Sequence, residues 1–288
     1  MAENAERALL TEAALAPKPG LVDRLNPGAH RDMDLFTFID SACALRPYFG
    51  ACVREGLARR GGDEAACFDA LRAPGLLAEA RMREATGGVN THKGAVFSMG
   101  VLCAALGMGY DGEASDPEEA LLRCGRMTRT RMTEELTRAG QGEGGSCGER
   151  LWRTSGIGGV RAEAASGFAS VREAALPRLR ACMAAGMGMQ DAALCALVAL
   201  MARAEDTNAV RRGGAEGARQ LRERAAQEDA ALCARLAKPD FDADAESAAL
   251  RRRMAQWDAA LSAAGISPGG CADMLALTLM AIFMEEGA

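Results

Sequence analysis

Residues 92–108 read HKGAVFSMGVLCAALGM, a stretch of seventeen residues in which Lys93 is the one formal charge. A helix of this composition is apolar on nearly every side, so it belongs inside a core and not at a surface. The stretch therefore predicts a buried central helix, around which the other elements of the fold must pack.

On both sides of this stretch, apolar residues recur at intervals of three and four, as on one face of a helix. Strand formers are scarce, because aromatic residues make up only 4% of the 288 residues. The periodic segments predict helices at about 3–16, 34–56, 63–84, 92–108, 117–138, 170–186, 190–205, 215–237, 243–264 and 268–286. Residues 140–148 (GQGEGGSCG) predict a flexible loop, either a lid or a linker. We expect one all-α domain over residues 1–288, a bundle of about ten helices.

The charge balance and the cysteines limit the location and the partners. The 34 basic and 39 acidic residues give a net charge of -5, so the chain lacks the positive field that holds a nucleic acid. The ten cysteines form no C-x-x-C pair, and most lie among apolar residues, where a reduced thiol behaves as a small hydrophobe. No secretory signal pattern and no uncharged run of 18 residues appear. We expect a cytoplasmic protein with no nucleic-acid partner and no membrane span.

The rarest polar residues are concentrated in two short segments. The chain has two His, three Lys and four Asn, and six of these nine residues fall within 18–32 and 90–93. Lysine supplies a compact positive charge, histidine titrates near neutrality, and asparagine both donates and accepts hydrogen bonds. The pattern favours loops that bind an anion and handle a proton. The alternative is that these are ordinary capping and turn residues.

The segment 87–94, GGVNTHKG, places a turn directly before the apolar helix. Asn90 or Thr91 is the expected cap, and Lys93 falls in the first helical turn. Amides at a helix start attract phosphate, and a lysine there adds positive charge. The segment is not a Walker A loop, because G-x-x-x-x-G-K-[ST] is absent. A lysine near a helix start is also often simply exposed.

Several acidic residues lie at helix ends or in polar segments: Glu12, Asp32, Glu163, Asp206 and Asp273. Taken singly, each has the pattern of a cap or a surface charge. Taken with the basic residues Lys18, Lys93, Arg161 and Arg211, they favour a mixed site for Mg²⁺ and a polyphosphate, since magnesium prefers a few carboxylates plus substrate oxygens. The motifs of covalent serine hydrolases and of structural zinc sites are absent.

Five ordered stretches carry a family resemblance. They are PKPGLVD (17–23) with NPGAHRDM (26–33), GVNTHKG (88–94), RAEA (161–164) leading to SGF (166–168), DTN (206–208) leading to Gly213, and SPGGCAD (267–273). In this order, spread over residues 12–280, they resemble the triphosphoribosyl-dephospho-CoA synthases. Three positions depart from the family pattern: Ala162 replaces the usual glycine, Arg211 an expected histidine and Cys271 a common serine.

The resemblance implies a ribosyl transfer. The 5-triphosphoribosyl group of ATP moves to the ribose 2′-hydroxyl of 3′-dephospho-CoA, adenine leaves, and 2′-(5″-triphosphoribosyl)-3′-dephospho-CoA forms. It further implies that this product is the prosthetic-group precursor of the acyl carrier protein of citrate lyase or malonate decarboxylase, which a separate holo-acyl-carrier-protein transferase attaches. The sequence leaves the choice between the two pathways, and the oligomeric state, open.

The implied chemistry suggests roles for the residues in these stretches. As a hypothesis, the ATP phosphates and ribose are bound by Lys18, Asn90, Lys93, Arg161, Asn208 and Arg211. The carboxylates Asp32, Glu163 and Asp206 are divided between Mg²⁺ and the general base that takes the hydroxyl proton. His30 and His92 are candidates for protonating adenine or for contacting phosphate.

Two other interpretations use the same features. A Mg-dependent ADP-ribosyl or nucleoside glycohydrolase would share the helical scaffold, the acids and the ribosyl cation, with water in place of the dephospho-CoA hydroxyl. A non-enzymatic helical scaffold, whose polar loops are only caps, would bind no nucleotide. Adenine release without dephospho-CoA would identify the first, and a lack of nucleotide binding would identify the second.

Overall fold

The computed structural model describes residues 1–112, 115–141 and 147–286, and the regular structure in these ranges is helical throughout. The α-helices are α1 (Ala2–Ala14), α2 (Leu35–Ala58), α3 (Glu64–Ala70), α4 (Arg72–Ala85), α5 (Lys93–Gly109), α6 (Pro117–Gln141), α7 (Cys147–Ser155), α8 (Gly159–Ala165), α9 (Leu176–Ala184), α10 (Met189–Arg203), α11 (Thr207–Leu236), α12 (Ala243–Ala264) and α13 (Gly269–Glu286). A π-helical turn at Val171–Ala175 precedes α9. The all-α prediction is therefore confirmed.

The described residues contain more helices than the ten expected, for local reasons. The predicted helix 63–84 is interrupted at Leu71, which ends α3 and precedes α4. The helices α7 and α8 were missed because segments of nine and seven residues are too short to show a helical period. The start of α11 was expected near 215, but Asp206 caps it and the helix runs on through a kink at Gly214. The predicted loop 140–148 falls largely on 142–146, outside the described residues.

The chain forms two compact units, each built from separate segments. Unit 1 comprises Met1–Thr11, Phe36–Ala169 and Ala276–Ala288, and unit 2 comprises Glu12–Leu35 and Ser170–Leu275. Of the four boundaries between the units, one falls inside α1, one inside α13, one after the first residue of α2 and one between α8 and the π-helical turn. The expectation of one domain over residues 1–288 stays a prediction.

The core of unit 1 is organised around α5. From Ala95 to Met108 every residue of this helix except Phe97 is buried, so the prediction of a buried central helix is confirmed. The helices α2 and α5 approach each other closely, because a Cβ added at Gly56 would lie 2.0 Å from the carbonyl oxygen of Ala104. Small residues at this crossing are therefore a steric requirement of the packing.

Unit 2 has a corresponding buried helix, α10. Its residues from Ala192 to Met201 are all at most 2% exposed, and α9 and α11 pack against it. This second core helix reads DAALCALVALMA at 191–202, again apolar on nearly every side. Each unit is thus built on one helix that has no solvent-facing side.

The fold shows where the cysteines lie and whether any described helix could span a membrane. Of the cysteines whose side chains the structure describes, Cys43 and Cys233 are exposed and the others are buried. Burial raises the pKa of Cys67 to about 11 and that of Cys52 to about 12, so both thiols are protonated at neutral pH. No described helix combines the length and the apolar character that a membrane span requires.

The α2–α5 crossing generates a stability prediction. Gly56→Ala should lower the free energy of unfolding by about 1–3 kcal/mol, because the added methyl group overlaps the Ala104 carbonyl. Gly75→Ala on α4 is the matched control, since its Cβ would meet the Tyr48 hydroxyl at an ordinary 3.5 Å. Urea unfolding followed by circular dichroism measures both. Equal stability of the two variants would contradict the close approach.

Candidate functional site

The predicted site residues are divided between the two units. Unit 1 contains Asn90, His92, Lys93, Arg161 and Glu163, and unit 2 contains Lys18, His30, Asp32, Asp206, Asn208 and Arg211. Each unit therefore holds its own group of candidate side chains, with its own hydrogen bonds and ion pairs. Whether the two groups serve one site stays a prediction.

In unit 1, α5 begins at Lys93, directly after the turn at 87–92. His92 occupies the N-cap position without a capping hydrogen bond, so the expectation of Asn90 or Thr91 as the cap was wrong. Lys93 is the first helical residue, its side chain is 51% exposed, and its Nζ lies 3.2 Å from Glu79 Oε2. A helix start without a capping carboxylate from its N-cap residue, beside a partly exposed ammonium group, suits an anion.

His92 is buried within a hydrogen-bonded chain at the same turn. Thr91 Oγ1 lies 2.7 Å from Ser41 Oγ, which in turn lies 2.7 Å from His92 Nδ1. The ring packs edge-on against Phe38, with ring centroids 4.8 Å apart. When the Ser41 hydroxyl donates to Nδ1, the ring proton of the neutral histidine lies on Nε2. Sequence reasoning missed Ser41, which lies 51 residues away in the chain.

Arg161 and Glu163 lie on the short helix α8, which packs against α6. Arg161 Nε is 3.5 Å from Glu135 Oε2 on α6, and Glu135 also pairs with Arg72 at the start of α4. Glu163 is partly buried. Residues two apart in a helix do not face each other, so Arg161 and Glu163 present different faces of α8.

Helix geometry predicts that the start of α5 and the Arg161–Glu135 pair lie toward the same end of unit 1. Arg123 of α6 donates from Nη1 to the carbonyl oxygen of Ala105, near the end of α5, at 3.3 Å. The short connection between them makes α5 and α6 antiparallel neighbours. Lys93 precedes Ala105 by twelve residues, and Glu135 follows Arg123 by twelve, so each is about 18 Å along its helix in the same direction. We therefore expect Lys93 and Arg161 to lie toward one end of unit 1.

In unit 2, Lys18 is buried in an ion pair with Glu12. The two side chains are 1% and 3% exposed, and Lys18 Nζ donates both to the Glu12 carboxylate and, at 2.6 Å, to the Glu12 carbonyl oxygen. Burial raises the pKa of Glu12, and the charge of Lys18 partly opposes this rise. Two of the three donors of Lys18 are thus used within the protein. Its role as a phosphate ligand stays a prediction.

Two buried carboxylates hold the loop that follows Lys18. Asp23 Oδ2 accepts the backbone amide of Lys18 at 2.9 Å, and Asp23 Oδ1 accepts that of Asn26 at 3.0 Å. Asp258, on α12, accepts from the amide of Gly20 and from Asn26 Nδ2, both at 2.9 Å. These bonds fix the loop to a helix far away in sequence. Sequence reasoning missed Asp258, which stands in an ordinary helical segment.

His30, at the end of this loop, has a hydrogen-bond partner at each ring nitrogen. Its Nδ1 lies 3.1 Å from Arg212 Nη2, and its Nε2 lies 3.0 Å from Ser267 Oγ. Burial, followed by the charge of Arg212, lowers the pKa of His30, and the nearby Asp32 opposes this shift. The setting therefore favours a neutral imidazole. Sequence reasoning missed Arg212 and named its neighbour Arg211, which is exposed.

Asp206 caps the starts of two helices at once. Its Oδ1 accepts the amides of Asn208 and Ala209 in α11 at 2.8 and 2.9 Å, and its Oδ2 accepts the amide of Cys271 in α13 at 2.8 Å. Burial raises the pKa of Asp206, although the three amide bonds favour the charged form. The side chain of Cys271 also hydrogen-bonds Asp206 and lowers its pKa, so a serine here would keep the amide contact and replace the thiol contact.

The three carboxylates expected to serve Mg²⁺ or the base differ in what their oxygens already bind. Both oxygens of Asp206 accept amides, whereas Asp32 is 65% exposed and Glu163 is partly buried. Across 1–112, 115–141 and 147–286, no group of three or more His, Cys, Asp or Glu side chains is arranged to hold a metal ion. Magnesium needs only one or two carboxylates together with substrate phosphates. Asp32, whose side chain is largely exposed, fits that role better than Asp206.

Comparison with known proteins gives consistent matches. The family model described as "CitG: ATP:dephospho-CoA triphosphoribosyl transferase" matches residues 1–288. A relative from Vibrio cholerae serotype O1 (strain M66-2), a "Probable 2-(5''-triphosphoribosyl)-3'-dephosphocoenzyme-A synthase", is 39% identical over 275 residues, which cover 95% of this chain and 84% of the relative. The similarly named synthase of Pectobacterium atrosepticum is 38% identical over 272 residues, 94% of this chain and 84% of its own. A probable synthase of Streptococcus equi subsp. equi is 36% identical over 293 residues, which cover 97% of this chain and 95% of the relative. No solved structure matches the chain.

The buried Glu12–Lys18 pair generates a prediction about stability. Lys18→Met should lower the free energy of unfolding by about 3–5 kcal/mol, because it leaves a buried carboxylate without its partner. The double variant Glu12→Leu/Lys18→Met is the control and should recover most of this loss, since an apolar pair replaces the ionic one. Urea unfolding measures both variants. An equal loss in the single and the double variant would contradict the pairing.

The pH dependence of the same comparison has a definite sign. Burial holds the pKa of folded Glu12 above its unfolded value, so the folded state binds more protons between the two values. The stability of the wild type relative to the double variant should therefore fall as the pH rises through the folded pKa. A relative stability that rises over this range would contradict the assignment.

Proposed function

Because the chain belongs to the ATP:dephospho-CoA triphosphoribosyl transferase family, its activity is that of a triphosphoribosyl-dephospho-CoA synthase, and we propose how its residues carry out this reaction. The 5-triphosphoribosyl group of ATP passes to the ribose 2′-hydroxyl of 3′-dephospho-CoA, and adenine is released. The comparisons give no support to the alternative of an ADP-ribosyl or nucleoside glycohydrolase.

We propose that the triphosphate of ATP binds at the start of α5. The observation that carries this proposal is a contrast between helix starts. At α11 and α13 the carboxylate of Asp206 occupies the amides and would repel phosphate, whereas the N-cap residue of α5, His92, makes no side-chain capping bond and the next residue, Lys93, is partly exposed. Arg161, expected toward the same end of unit 1, is the second proposed cation, and the exposed Asn90 is a proposed hydrogen-bonding partner.

Glu163 is the proposed general base, and Asp32 the proposed ligand of Mg²⁺. As the ribosyl carbon C1″ develops positive charge, a carboxylate can take the proton of the attacking 2′-hydroxyl and stabilise that charge. Mg²⁺, when bound, would offset part of the negative charge of the triphosphate. In unit 2, the exposed Arg211 and the neighbouring Asn208 are proposed contacts to nucleotide phosphate, and Lys18 is a further candidate. His30 and His92 are the candidates for contact with the leaving adenine.

The proposed biological role is the synthesis of a prosthetic-group precursor. The product keeps the triphosphate at its 5″ position, and phosphoryl transfer from that group would release pyrophosphate and join the coenzyme to a hydroxyl of an acyl carrier protein. A separate holo-acyl-carrier-protein transferase would catalyse this step, for citrate lyase or malonate decarboxylase. The protonated, buried thiols Cys52 and Cys67 are consistent with the proposed reducing cytoplasm.

The direct test uses the purified full-length chain with ATP, Mg²⁺ and 3′-dephospho-CoA. Chromatography should show free adenine and a heavier coenzyme product, and adenine should appear only when dephospho-CoA is present. Excess chelator should abolish the reaction and added Mg²⁺ should restore it. Adenine release without dephospho-CoA would favour the glycohydrolase, and activity that persists in chelator would refute the role of magnesium.

Lys93→Ala should weaken ATP binding by about 10-fold or more, because a charge-assisted hydrogen bond contributes about 1.5–3 kcal/mol. Isothermal titration calorimetry with ATP measures the change. Lys238→Ala is the matched control, since Lys238 is an exposed lysine outside both groups of candidate residues. Unchanged ATP affinity in Lys93→Ala would remove Lys93 from the phosphate site.

Glu163→Gln should lower kcat by at least about 10-fold, and up to the 10²- to 10⁴-fold range of a general base, because the amide cannot accept the hydroxyl proton. Circular dichroism should show an unchanged fold. Glu84→Gln, at an exposed position on α4, is the control and should retain wild-type turnover. Wild-type turnover in Glu163→Gln would exclude it from the mechanism.

A further inference from the structure

Two adjacent arginines at the start of α11 have different surroundings. Arg211 is exposed, whereas Arg212 is partly buried and donates from Nη1 to the carbonyl oxygen of Ala29 at 3.2 Å. Arg212 Nη2 lies 3.1 Å from His30 Nδ1. Both arginines carry the same charge, so their difference lies in the hydrogen bonds that one of them makes inside unit 2.

The contact between Arg212 and His30 has only one possible direction. A guanidinium group has donors and no acceptor, so His30 Nδ1 must accept the hydrogen bond. A neutral imidazole that accepts at Nδ1 carries its proton on Nε2. That nitrogen lies 3.0 Å from Ser267 Oγ, so its proton is donated to the serine oxygen. The three groups form a chain of hydrogen bonds that runs from Arg212 through His30 to Ser267.

Asp32 is the group that could reverse this arrangement, because a carboxylate near Nδ1 would draw the proton to that nitrogen. Asp32 Oδ1 is 3.8 Å from His30 Nδ1, beyond hydrogen-bonding distance. Its side chain is also largely exposed, so water competes for its oxygens. The shorter contact with Arg212 therefore decides which nitrogen carries the proton.

We propose that Arg212 is a positioning residue, which fixes His30 as the Nε2–H tautomer and so holds Ser267 at the start of α13. Ser267 is buried and directly precedes Pro268, and a few residues later the Cys271 amide binds the helix-capping Asp206. His30 thereby connects the loop at 18–32 with the start of α13. Arg211, beside it, remains available to a phosphate of the substrate.

The tautomer can be measured without substrate, because the chain has only two histidines. Protein labelled with ¹⁵N in its histidine rings gives two sets of ring-nitrogen signals, and the spectrum of His30→Gln assigns them. At neutral pH, Nε2 of His30 should have the chemical shift of a protonated ring nitrogen and Nδ1 that of an unprotonated one. The opposite pattern, or an average of the two, would overturn the proposal.

Variants of the two arginines distinguish the positioning of His30 by Arg212 from the binding of substrate by Arg211. Arg212→Met removes every donor and should shift His30 toward a mixture of tautomers, whereas Arg212→Lys keeps a donor and should preserve the Nε2–H form. Arg211→Met is the matched control and should leave the His30 signals unchanged. The signals of His92, in unit 1, report whether each variant remains folded. If Arg212→Met does not fold, the wild-type and Arg212→Lys spectra decide.

The expected effect of Arg212 on catalysis rests on the proposed function, and steady-state kinetics measure it separately from the tautomer. Arg212→Met should lower kcat about 10-fold or more with a smaller change in KM, and Arg211→Met should mainly raise KM for a nucleotide substrate. Loss of the tautomer without loss of kcat would refute the positioning role. A wild-type protein that releases no adenine would refute the proposed function and leave the tautomer result standing.

Discussion

The fold depends on one constraint, which is that α5 has no polar face. A helix that is apolar on every side must be surrounded by other helices, and in unit 1 the packing is tight enough that a methyl group at Gly56 would overlap the Ala104 carbonyl. Only the ends of such a helix can reach water or a ligand. Its polar first turn is therefore where the core of unit 1 can offer amides and a charge to an anion, and Lys93 stands there.

The sequence correctly predicted the helices that have a long apolar period or clear capping residues within their own segment. The burial of α5 follows from its composition, and α12 was predicted with the observed bounds because its apolar period and its capping residues agree. The short helix α8 was missed because it is held by packing on α6 and has too few residues for a period. The first turns of α11 were missed because glycines follow them, and Asp206 stabilises a helix start that propensity alone would not favour.

In the candidate site, the sequence indicated which residues matter but not which groups they contact. Rarity in the sequence pointed to His30 and Lys93, but it could not show which groups would satisfy them. The partners of His30 are Arg212 and Ser267, and these contacts join positions about 180 and 240 residues apart. Asp206 has the residue type of a metal ligand, and only its three bonds to backbone amides show that it acts as a cap. Sequence gives the chemistry of a side chain, whereas the fold decides how much of that chemistry is still available.

The free-energy cost of leaving a charge buried without a partner indicates which cations can bind a substrate phosphate. A cation inside the protein needs an internal partner, and drawing it toward a substrate would leave that partner buried and uncompensated, which costs about 3–5 kcal/mol. Lys18 is in this position, because Glu12 would lose its partner with it. Lys93 and Arg211 are exposed, so a substrate phosphate displaces water and, at Lys93, one partly exposed carboxylate. The exposed cations are therefore the ones that a triphosphate can engage at low cost, and the buried ones keep the loops in the shape that presents them.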